Sequence, residues 1–200
     1  MMIDDETYAL LRDWTKTYIK TNCIIRSEVP MKNRMGDKQS WILYVRNALF
    51  DHTFMSCMSL MFLYKVEREI DKDIDFQICG LDNDALPILI GIPLVAKAYD
   101  IDINAFSIRD QKQGYGIDNI IEGRPTNQKI LMINDIANGS NTLALCKNFL
   151  DKNNVEVLPY AFSIVNEAAK YEKNKLDRDQ YLGSKFKLIS LFDLGDIDLG

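Results

Sequence analysis

Hydrophobic residues recur along this chain with two periods, one typical of helices and one typical of buried strands. Apolar positions at three- and four-residue spacing predict helices over residues 4 to 20, 50 to 70, 85 to 98 and 142 to 152. Short apolar runs predict strands at residues 76 to 79, 104 to 108, 129 to 133, 157 to 165 and 186 to 191. Their alternation predicts an α/β fold with a central, mostly parallel sheet flanked by helices, because parallel strands need crossover connections.

The first quarter of the chain is less regular. Two short extended runs, at residues 23 to 25 and 41 to 45, flank a polar, basic stretch at residues 31 to 39 that predicts a loop. We therefore expect an N-terminal helix and hood segment over residues 1 to 45. An α/β core over residues 46 to 200 completes a single compact domain.

Polar stretches follow three of the predicted strands. Residues 81 to 84 are rich in Asp and Asn and predict a turn, residues 109 to 127 predict a long loop, and residues 137 to 141 predict a turn with Asn-Gly at its centre. Ligands of open parallel sheets bind beyond the carboxyl ends of the strands. These stretches, and the one after the strand that ends at Val165, are therefore where the chemistry is expected.

Composition and charge exclude several classes of function. The 200 residues are 47% hydrophobic with a net charge of −5, and the basic residues are scattered, which argues against a nucleic-acid partner. No apolar run approaches the ~18 residues of a membrane span, and the acidic N-terminus lacks signal-peptide features, so we expect a cytoplasmic protein without a membrane partner. Four dispersed cysteines and one histidine argue against zinc and predict reduced thiols.

The most informative segment runs from residue 130 to 143. An apolar strand ends in the polar pair Asn134-Asp135, and a turn rich in Gly, Ser, Asn and Thr then leads into a helix. Such a turn presents backbone N–H groups at a helix N-terminus, which favours an anion, and Asp135 is placed to accept hydrogen bonds from sugar hydroxyls. The alternative is an ordinary helix cap, since the same residue types are favoured there.

The segment resembles the phosphoribosyl-diphosphate (PRPP) motif of type I phosphoribosyltransferases, and further segments agree with the orotate phosphoribosyltransferase branch in the same order. Residues 78 to 81 with 85 to 88 resemble its diphosphate-contacting turn. Residues 109 to 116 with 121 to 123 resemble its catalytic loop. Met31-Lys32 ahead of Ser40 and Tyr44 resembles its N-terminal region. The resemblance spans roughly residues 23 to 195.

The resemblance implies a fold, an activity and a set of site residues. It implies transfer of the 5-phosphoribosyl group of PRPP to a nitrogen heterocycle with release of diphosphate, dependence on Mg²⁺, and a homodimer. The implied catalytic residues are Asp135, Lys112 and Arg109, with Asp135 also the metal ligand. The implied base-binding residues are Asn166 and Glu167. PRPP contacts are implied for Lys32, Leu81, Asp82, Asn134, Asp135, Asn138, Gly139, Ser140, Asn141 and Thr142.

The chain departs from the family pattern at four places. Asn134 replaces the first of two acids, and the turn glycine is displaced by one position. Asp110 and Gln113 stand at basic positions of the loop, with Lys112 one residue before the expected lysine. Asn166-Glu167 replaces an Asp-Arg pair whose arginine holds the carboxylate of orotate, and a glutamate repels a carboxylate.

Three hypotheses remain open from the sequence. The first is an active phosphoribosyltransferase with an altered base. The second is a catalytically inactive relative that binds PRPP or a nucleotide as a regulator. The third is a likeness of fold alone, because folds of this kind host many functions.

Overall fold

The computed structural model describes residues 3–32, 38–71, 74–109, 120–137, 142–167 and 186–197. Four helices and eight strands occur in these ranges, together with short 3-10 turns at Val45–Asn47 and Leu194–Asp196. The helices are α1 (Asp5–Asn22), α2 (His52–Glu69), α3 (Asp82–Lys97) and α4 (Thr142–Lys152). The strands are β1 (Ile24–Lys32), β2 (Lys38–Leu43), β3 (Phe76–Leu81), β4 (Ala105–Ile108), β5 (Ile121–Gly123), β6 (Lys129–Ala137), β7 (Val157–Asn166) and β8 (Lys187–Asp193).

Six strands form the central sheet in the order β5-β4-β3-β6-β7-β8. All neighbouring pairs are parallel except β4 and β5, which run antiparallel at one edge. Helix α3 connects β3 to β4, and α4 connects β6 to β7, as parallel pairing requires. The predicted α/β fold with a mostly parallel sheet is therefore confirmed.

A separate antiparallel hairpin, β1-β2, forms the hood. It runs from the pair Ile24–Leu43 at its base to the pair Lys32–Lys38 at its tip. Helix α1 precedes it and packs on α2, where the rings of Tyr8 and Tyr64 stack with centroids 4.0 Å apart. The exact boundary at residues 45 and 46 between hood and core stays a prediction.

The hydrophobic core lies on both faces of the sheet. In β6, Leu131 and Ile133 join the larger cluster formed with α2 and α3, whereas Ile130 and Met132 join a second cluster formed with α4. Successive side chains of a strand point to opposite faces, so a strand that is covered on both sides must be apolar at every position. This explains the continuous apolar run that the sequence shows there.

A close approach of backbones fixes β3 between α3 and β6. A Cβ atom added at Gly80 would lie 2.3 Å from Cβ of Ala85 and 2.9 Å from the carbonyl oxygen of Ile133. Any side chain at this position would push the start of α3 away from the sheet. Glycine is therefore required by space at the end of β3, next to the carboxyl edge of the sheet.

Local sequence signals account for where two helices begin. Asp4 accepts a hydrogen bond from the Thr7 backbone N–H at 2.8 Å, and Asp51 accepts one from the Phe54 N–H at 2.8 Å. These caps satisfy backbone donors that have no partner within the helix. The bond from Phe54 lowers the pKa of Asp51, because the ionised carboxylate is the better acceptor.

Several element predictions are confirmed, and three are wrong in detail. Helix α4 has the predicted bounds, and α1, α2 and α3 agree within a few residues. The predicted loop at residues 31 to 39 is wrong at its ends, since Met31, Lys32, Lys38 and Gln39 pair across the hairpin. The predicted turn at residues 81 to 84 is wrong because α3 begins directly after β3. The predicted long loop at residues 109 to 127 contains β5.

All four cysteines are free thiols, as the sequence predicts. Cys23, Cys79 and Cys146 are buried and Cys57 is half-buried. Burial raises the pKa of Cys23 to about 11 and also raises that of Cys79, where the neighbouring Cys146 thiol adds to the effect. Thiols of this kind behave as small apolar groups of the core. Across the described ranges, no helix combines the length and apolar character needed to cross a membrane.

Candidate functional site

A pocket of about 180 Å³ lies where the hairpin meets the carboxyl ends of β6 and β7. It collects residues from three distant parts of the sequence, and its lining combines charged, polar and aliphatic side chains. The lining residues are Lys32, Gln39, Ile42, Leu43, Tyr44, Val45, Arg46, Asp135, Ile136 and Glu167. Three residues that the sequence proposed for PRPP or base binding, Lys32, Asp135 and Glu167, therefore share one pocket.

The side chain of Asp135 contacts the backbone N–H of the next residue and an arginine. Its side chain is 10% exposed, and Oδ1 accepts a hydrogen bond from the Ile136 N–H at 2.7 Å. Its Oδ2 lies 3.9 Å from Nε of Arg46. The Ile136 N–H and Arg46 thus fix the orientation of this carboxylate in the pocket.

Arg46 lies in the 3-10 turn directly after the hairpin and contacts the core at two points. Its Nη2 lies 2.7 Å from Oδ1 of Asp84 in the first turn of α3, while its Nε faces Asp135 on β6. Its guanidinium also lies 5.4 Å from the ring centroid of Tyr44, within cation–π distance. One cation therefore links the carboxylate of Asp84 on α3 with that of Asp135 on β6.

The two residues proposed for base binding point in different directions. The Glu167 side chain lines the pocket, and its backbone N–H donates to the Ala137 carbonyl at 2.8 Å, which continues the pairing of β6 with β7. Asn166 instead donates through Nδ2 to Oδ1 of Asp193 on β8 at 3.0 Å. Adjacent strand residues face opposite sides, and the pocket lining includes Glu167 but not Asn166.

Asn134 is buried beside the pocket rather than in its lining. The residue is 2% exposed, and Nδ2 donates to the Ile136 carbonyl at 2.7 Å. Its Oδ1 is buried, and no residue in the described ranges supplies it with a hydrogen bond. A carbonyl oxygen that is buried without a hydrogen bond destabilises the folded state. It is therefore a candidate acceptor for a hydroxyl or N–H group that comes close to the end of β6.

The remaining predicted PRPP contacts lie at the same edge of the sheet or outside the described residues. Leu81 ends β3 and is half-buried, and the side chain of Asp82 lies outside the described part of the chain. Thr142 is the first residue of α4, so its position agrees with a helix-terminal anion site. The other predicted contacts in the turn, Asn138, Gly139, Ser140 and Asn141, lie outside the described residues, as does Lys112.

Arg109 lies apart from the pocket. It follows β4 and forms an ion pair with Glu122 on β5, and its backbone N–H donates to the Ile120 carbonyl. Strand β3 separates β4 from β6 in the sheet, so Arg109 is two strand spacings, roughly 10 Å, from the strand of Asp135. Arg109 and Asp135 therefore follow or lie on strands that are not neighbours in the sheet.

Oxygen ligands for a metal are few at the pocket. Within the described ranges, no three His, Cys, Asp or Glu side chains are grouped closely enough to hold an ion. Asp135 offers a carboxylate of the type that Mg²⁺ prefers, but Mg²⁺ commonly takes only one or two carboxylates and completes its shell with water and substrate phosphates. Asp135 therefore fits Mg²⁺ as a single carboxylate ligand, with water and substrate phosphates completing the shell.

Sequence reasoning missed Arg46 and Asp84. Arg46 comes two residues after Tyr44, which was part of the N-terminal resemblance, and Asp84 lies in the stretch that was predicted as a turn. Their partnership depends on how the 3-10 turn after the hairpin lies against the start of α3. The spacing of charges along the chain does not contain that information.

Comparison with known proteins gives the fold. No family model and no curated protein sequence matches the chain. A phosphoribosyltransferase from Corynebacterium diphtheriae is similar in structure, with TM-score 0.73, 16% identity, and coverage of 94% of this chain and 98% of that one. Orotate phosphoribosyltransferase from Mycobacterium tuberculosis in complex with PRPP has TM-score 0.62, 17% identity, and coverage of 99% and 94%.

A third similar structure is adenine phosphoribosyltransferase from Trypanosoma brucei in complex with AMP, pyrophosphate and ribose-5-phosphate. It has TM-score 0.61, 14% identity, and coverage of 94% of this chain and 81% of that one. The chain therefore has the type I phosphoribosyltransferase fold, close to that of the orotate branch, as the sequence predicts.

Proposed function

We propose that the chain binds PRPP and transfers its 5-phosphoribosyl group to a nitrogen heterocycle, with release of diphosphate. The observation that carries the proposal is the convergence of Asp135, Lys32 and Glu167 on one pocket at the carboxyl ends of β6 and β7. In a fold with an open parallel sheet, this edge is where ligands bind. The resemblance had assigned PRPP and base contacts to the same three residues.

The proposed reaction requires the protein to orient PRPP and the base and to balance the charge of the diphosphate. A ring nitrogen of the base forms a bond to C1 of the ribose while the bond from C1 to the diphosphate oxygen breaks, and the proton on that nitrogen is lost to solvent. Asp135 is oriented by the Ile136 N–H and faces Arg46. Its carboxylate accepts hydrogen bonds from the ribose hydroxyls. A ribose held in this way presents C1 to the base in one orientation.

The phosphate and diphosphate contacts follow from the same proposal. The N-terminus of α4 at Thr142, with the turn at residues 137 to 142, binds the 5′-phosphate through backbone N–H groups. Arg109 and Lys112 bind the diphosphate, in the site of a neighbouring subunit of a homodimer. When bound, Mg²⁺ supplies positive charge to the diphosphate. Asp135 is the residue of this chain that contributes an oxygen ligand.

A second candidate function is a catalytically inactive relative that binds PRPP or a nucleotide as a regulator. It is favoured by Asn134, whose amide stands where the resemblance expects an acid and is buried against the Ile136 carbonyl. An amide carries no charge to balance a developing cation on the ribose. The two candidates differ in a single respect, since the regulator binds PRPP without releasing diphosphate.

One experiment separates these functions. The purified protein is titrated with PRPP and Mg²⁺ in a calorimeter, and a panel of nucleobases is then added while released diphosphate is assayed. We expect saturable binding with diphosphate release for at least one base. Saturable binding without release for any base identifies the regulator. Absence of PRPP binding contradicts the transferase and a regulator that binds PRPP, and the turn before α4 is then a helix cap.

A further inference from the structure

A second pocket, larger than the candidate site, lies at the opposite edge of the sheet. Its volume is about 480 Å³, and it opens between the C-terminal half of α2, the amino end of β3 and the segment before β4. We call it the amino-edge pocket. Phe76 at the start of β3 belongs to it, whereas Leu81 ends the same strand at the carboxyl edge, roughly 17 Å away. The lining residues are Leu63, Val66, Glu67, Ile70, Asp71, Ile74, Asp75, Phe76, Ile101, Asp102 and Ile103.

The floor of the amino-edge pocket is apolar. Two half-buried isoleucines, Ile74 and Ile101, pack against the main core cluster, and the rest of the floor belongs to that cluster. The volume of the pocket lies within the roughly 300–1,000 Å³ of pockets that bind small molecules. A ligand with an apolar body would therefore remove its own surface and that of the floor from water, which favours binding. The buried floor residues are Leu63, Val66, Ile70, Phe76 and Ile103.

Carboxylates are the charged groups at the rim of the amino-edge pocket. Asp71, Asp75 and Asp102 are exposed there, and Glu67 is half-buried. Asp75 carries the argument about charge, because its Oδ1 accepts a hydrogen bond from Nε2 of Gln128. The amide of Gln128 is uncharged, so this bond orients the carboxylate of Asp75 and leaves its negative charge in place.

Two cations near this rim have carboxylate partners of their own. Lys129 lies across from Phe76 on the neighbouring strand, and its Nζ is 2.7 Å from Glu156. Lys97 pairs with Asp102 at 2.9 Å. Neither lysine lines the pocket, and within the described part of the chain the lining contains no basic side chain. An anionic ligand would therefore meet carboxylates there, and like charges in contact are unfavourable.

We propose that the amino-edge pocket binds a small organic cation, with an aromatic or aliphatic body on the apolar floor and an ammonium group beside Asp75. Contact with the floor gives the affinity, and the carboxylate at the rim selects the sign of the charge. The proposed transfer reaction takes place at the other edge of the sheet. This site therefore adds a second class of ligand and does not depend on the proposed function.

Three ligands that share an indole ring and differ in the charge of the side-chain end test the inference. Tryptamine carries an ammonium group, tryptophol a hydroxyl group and indole-3-propionate a carboxylate. Each ligand is titrated into the full chain in a calorimeter at low salt. We expect tryptamine to bind about fivefold tighter than tryptophol, the effect of one exposed ion pair, and indole-3-propionate to bind most weakly. Added salt should reduce the preference for tryptamine.

Substitutions assign this preference to the amino-edge pocket. Asp75→Asn keeps an oxygen that accepts the Gln128 hydrogen bond and removes the charge, so tryptamine should lose most of its advantage over tryptophol. Asp151→Asn, on the exposed surface of α4 beside Lys147, is the matched control and should keep the full preference. Ile101→Trp places a larger side chain in the pocket and should weaken the binding of all three ligands. Thermal unfolding of each variant checks that the fold is intact.

Amide NMR spectra of the parent protein locate the ligand without any substitution. Shifts that change with tryptamine should map to residues 63 to 71, 74 to 76 and 101 to 103. Equal binding of the three indoles overturns the inference, as does an undiminished preference in Asp75→Asn, a shift map centred on the candidate site or the absence of tryptamine binding. PRPP is titrated into the same preparations. If PRPP fails to bind while the tryptamine preference persists, the proposed function falls and the amino-edge pocket stands.

Discussion

Arg46 and Asp84 form an ion pair, with Nη2 2.7 Å from Oδ1, that ties the 3-10 turn after the hairpin to the first turn of α3. The side chains are 29% and 14% exposed, so water screens the pair less than it screens an exposed pair. Asp135 lies on the other side of the same guanidinium. Two separate elements of the core, α3 and β6, therefore hold the turn that follows the hairpin through one arginine.

Removal of this arginine should destabilise the fold. We expect Arg46→Ala to lower the free energy of unfolding by about 1–3 kcal/mol, because the carboxylates of Asp84 and Asp135 lose a charged donor. Urea unfolding measures the change. Lys97→Ala is the comparison, since its pair with Asp102 is 68% and 79% exposed and should contribute less than about 1 kcal/mol. Equal losses in the two variants would contradict a structural role for Arg46.

Asp135 tests the placement of the ribose. Asp135→Asn should abolish PRPP binding in a calorimetric titration and leave the fold intact, because the amide oxygen still accepts the Ile136 N–H while the negative charge is lost. Asp151→Asn, on the exposed surface of α4 beside Lys147, is the matched control and should bind like the parent protein. Undiminished affinity in Asp135→Asn would mean that the ribose binds elsewhere.

The close approach at Gly80 predicts a large effect from one methyl group. Gly80→Ala places a Cβ 2.3 Å from that of Ala85 and 2.9 Å from the Ile133 carbonyl oxygen, so backbone has to move. We expect a loss of about 1–3 kcal/mol in stability, the usual cost of overpacking. Gly195→Ala, where nothing lies within 4 Å of the added atom, should change stability by less than about 0.5 kcal/mol. Thermal unfolding of Gly80→Ala and Gly195→Ala, each compared with the parent protein, measures both changes in stability.

The ion pairs of Glu69 lead to a prediction of how the free energy of unfolding depends on pH. Burial acts to raise the pKa of its carboxyl, but Lys187 at 2.9 Å and Lys65 at 3.4 Å outweigh burial and lower it below the usual 4.5. A lowered pKa in the folded state gives a stabilisation that is complete above pH 4.5 and is lost as the pH falls through the folded pKa. Because Lys187 is 64% exposed, we expect at most about 1 kcal/mol.

The variant Glu69→Gln isolates this contribution. Its stability deficit against the parent protein, measured by urea unfolding, should be present at neutral pH and shrink as the pH falls below 4.5 and through the lowered pKa of Glu69. High salt should also reduce it. Asp102→Asn, which breaks a more exposed pair, provides the comparison. A deficit that grows as the pH falls would show that the lysines do not stabilise the ionised form of Glu69.

The sequence by itself determined the α/β class, and it predicted a candidate site at the carboxyl edge of the sheet. Strand β6 is apolar on both faces because it is covered on both faces, and that property is visible as an unbroken run from Ile130 to Ile133. Helix α4 was predicted with its exact bounds, since its turn residues and its apolar spacing are local signals. Local signals also led to Asp135.

Tertiary structure alone decided what surrounds Asp135. Asn166 and Glu167 are neighbours of similar polarity, and only the pairing of β7 with β6 and β8 shows that one bonds Asp193 while the other lines the pocket. Likewise Arg46 meets Asp84 and Asp135 only because the 3-10 turn after β2 lies against the start of α3 and the end of β6. Such contacts join residues far apart in the chain, and their energy depends on distances that neither composition nor periodicity encodes.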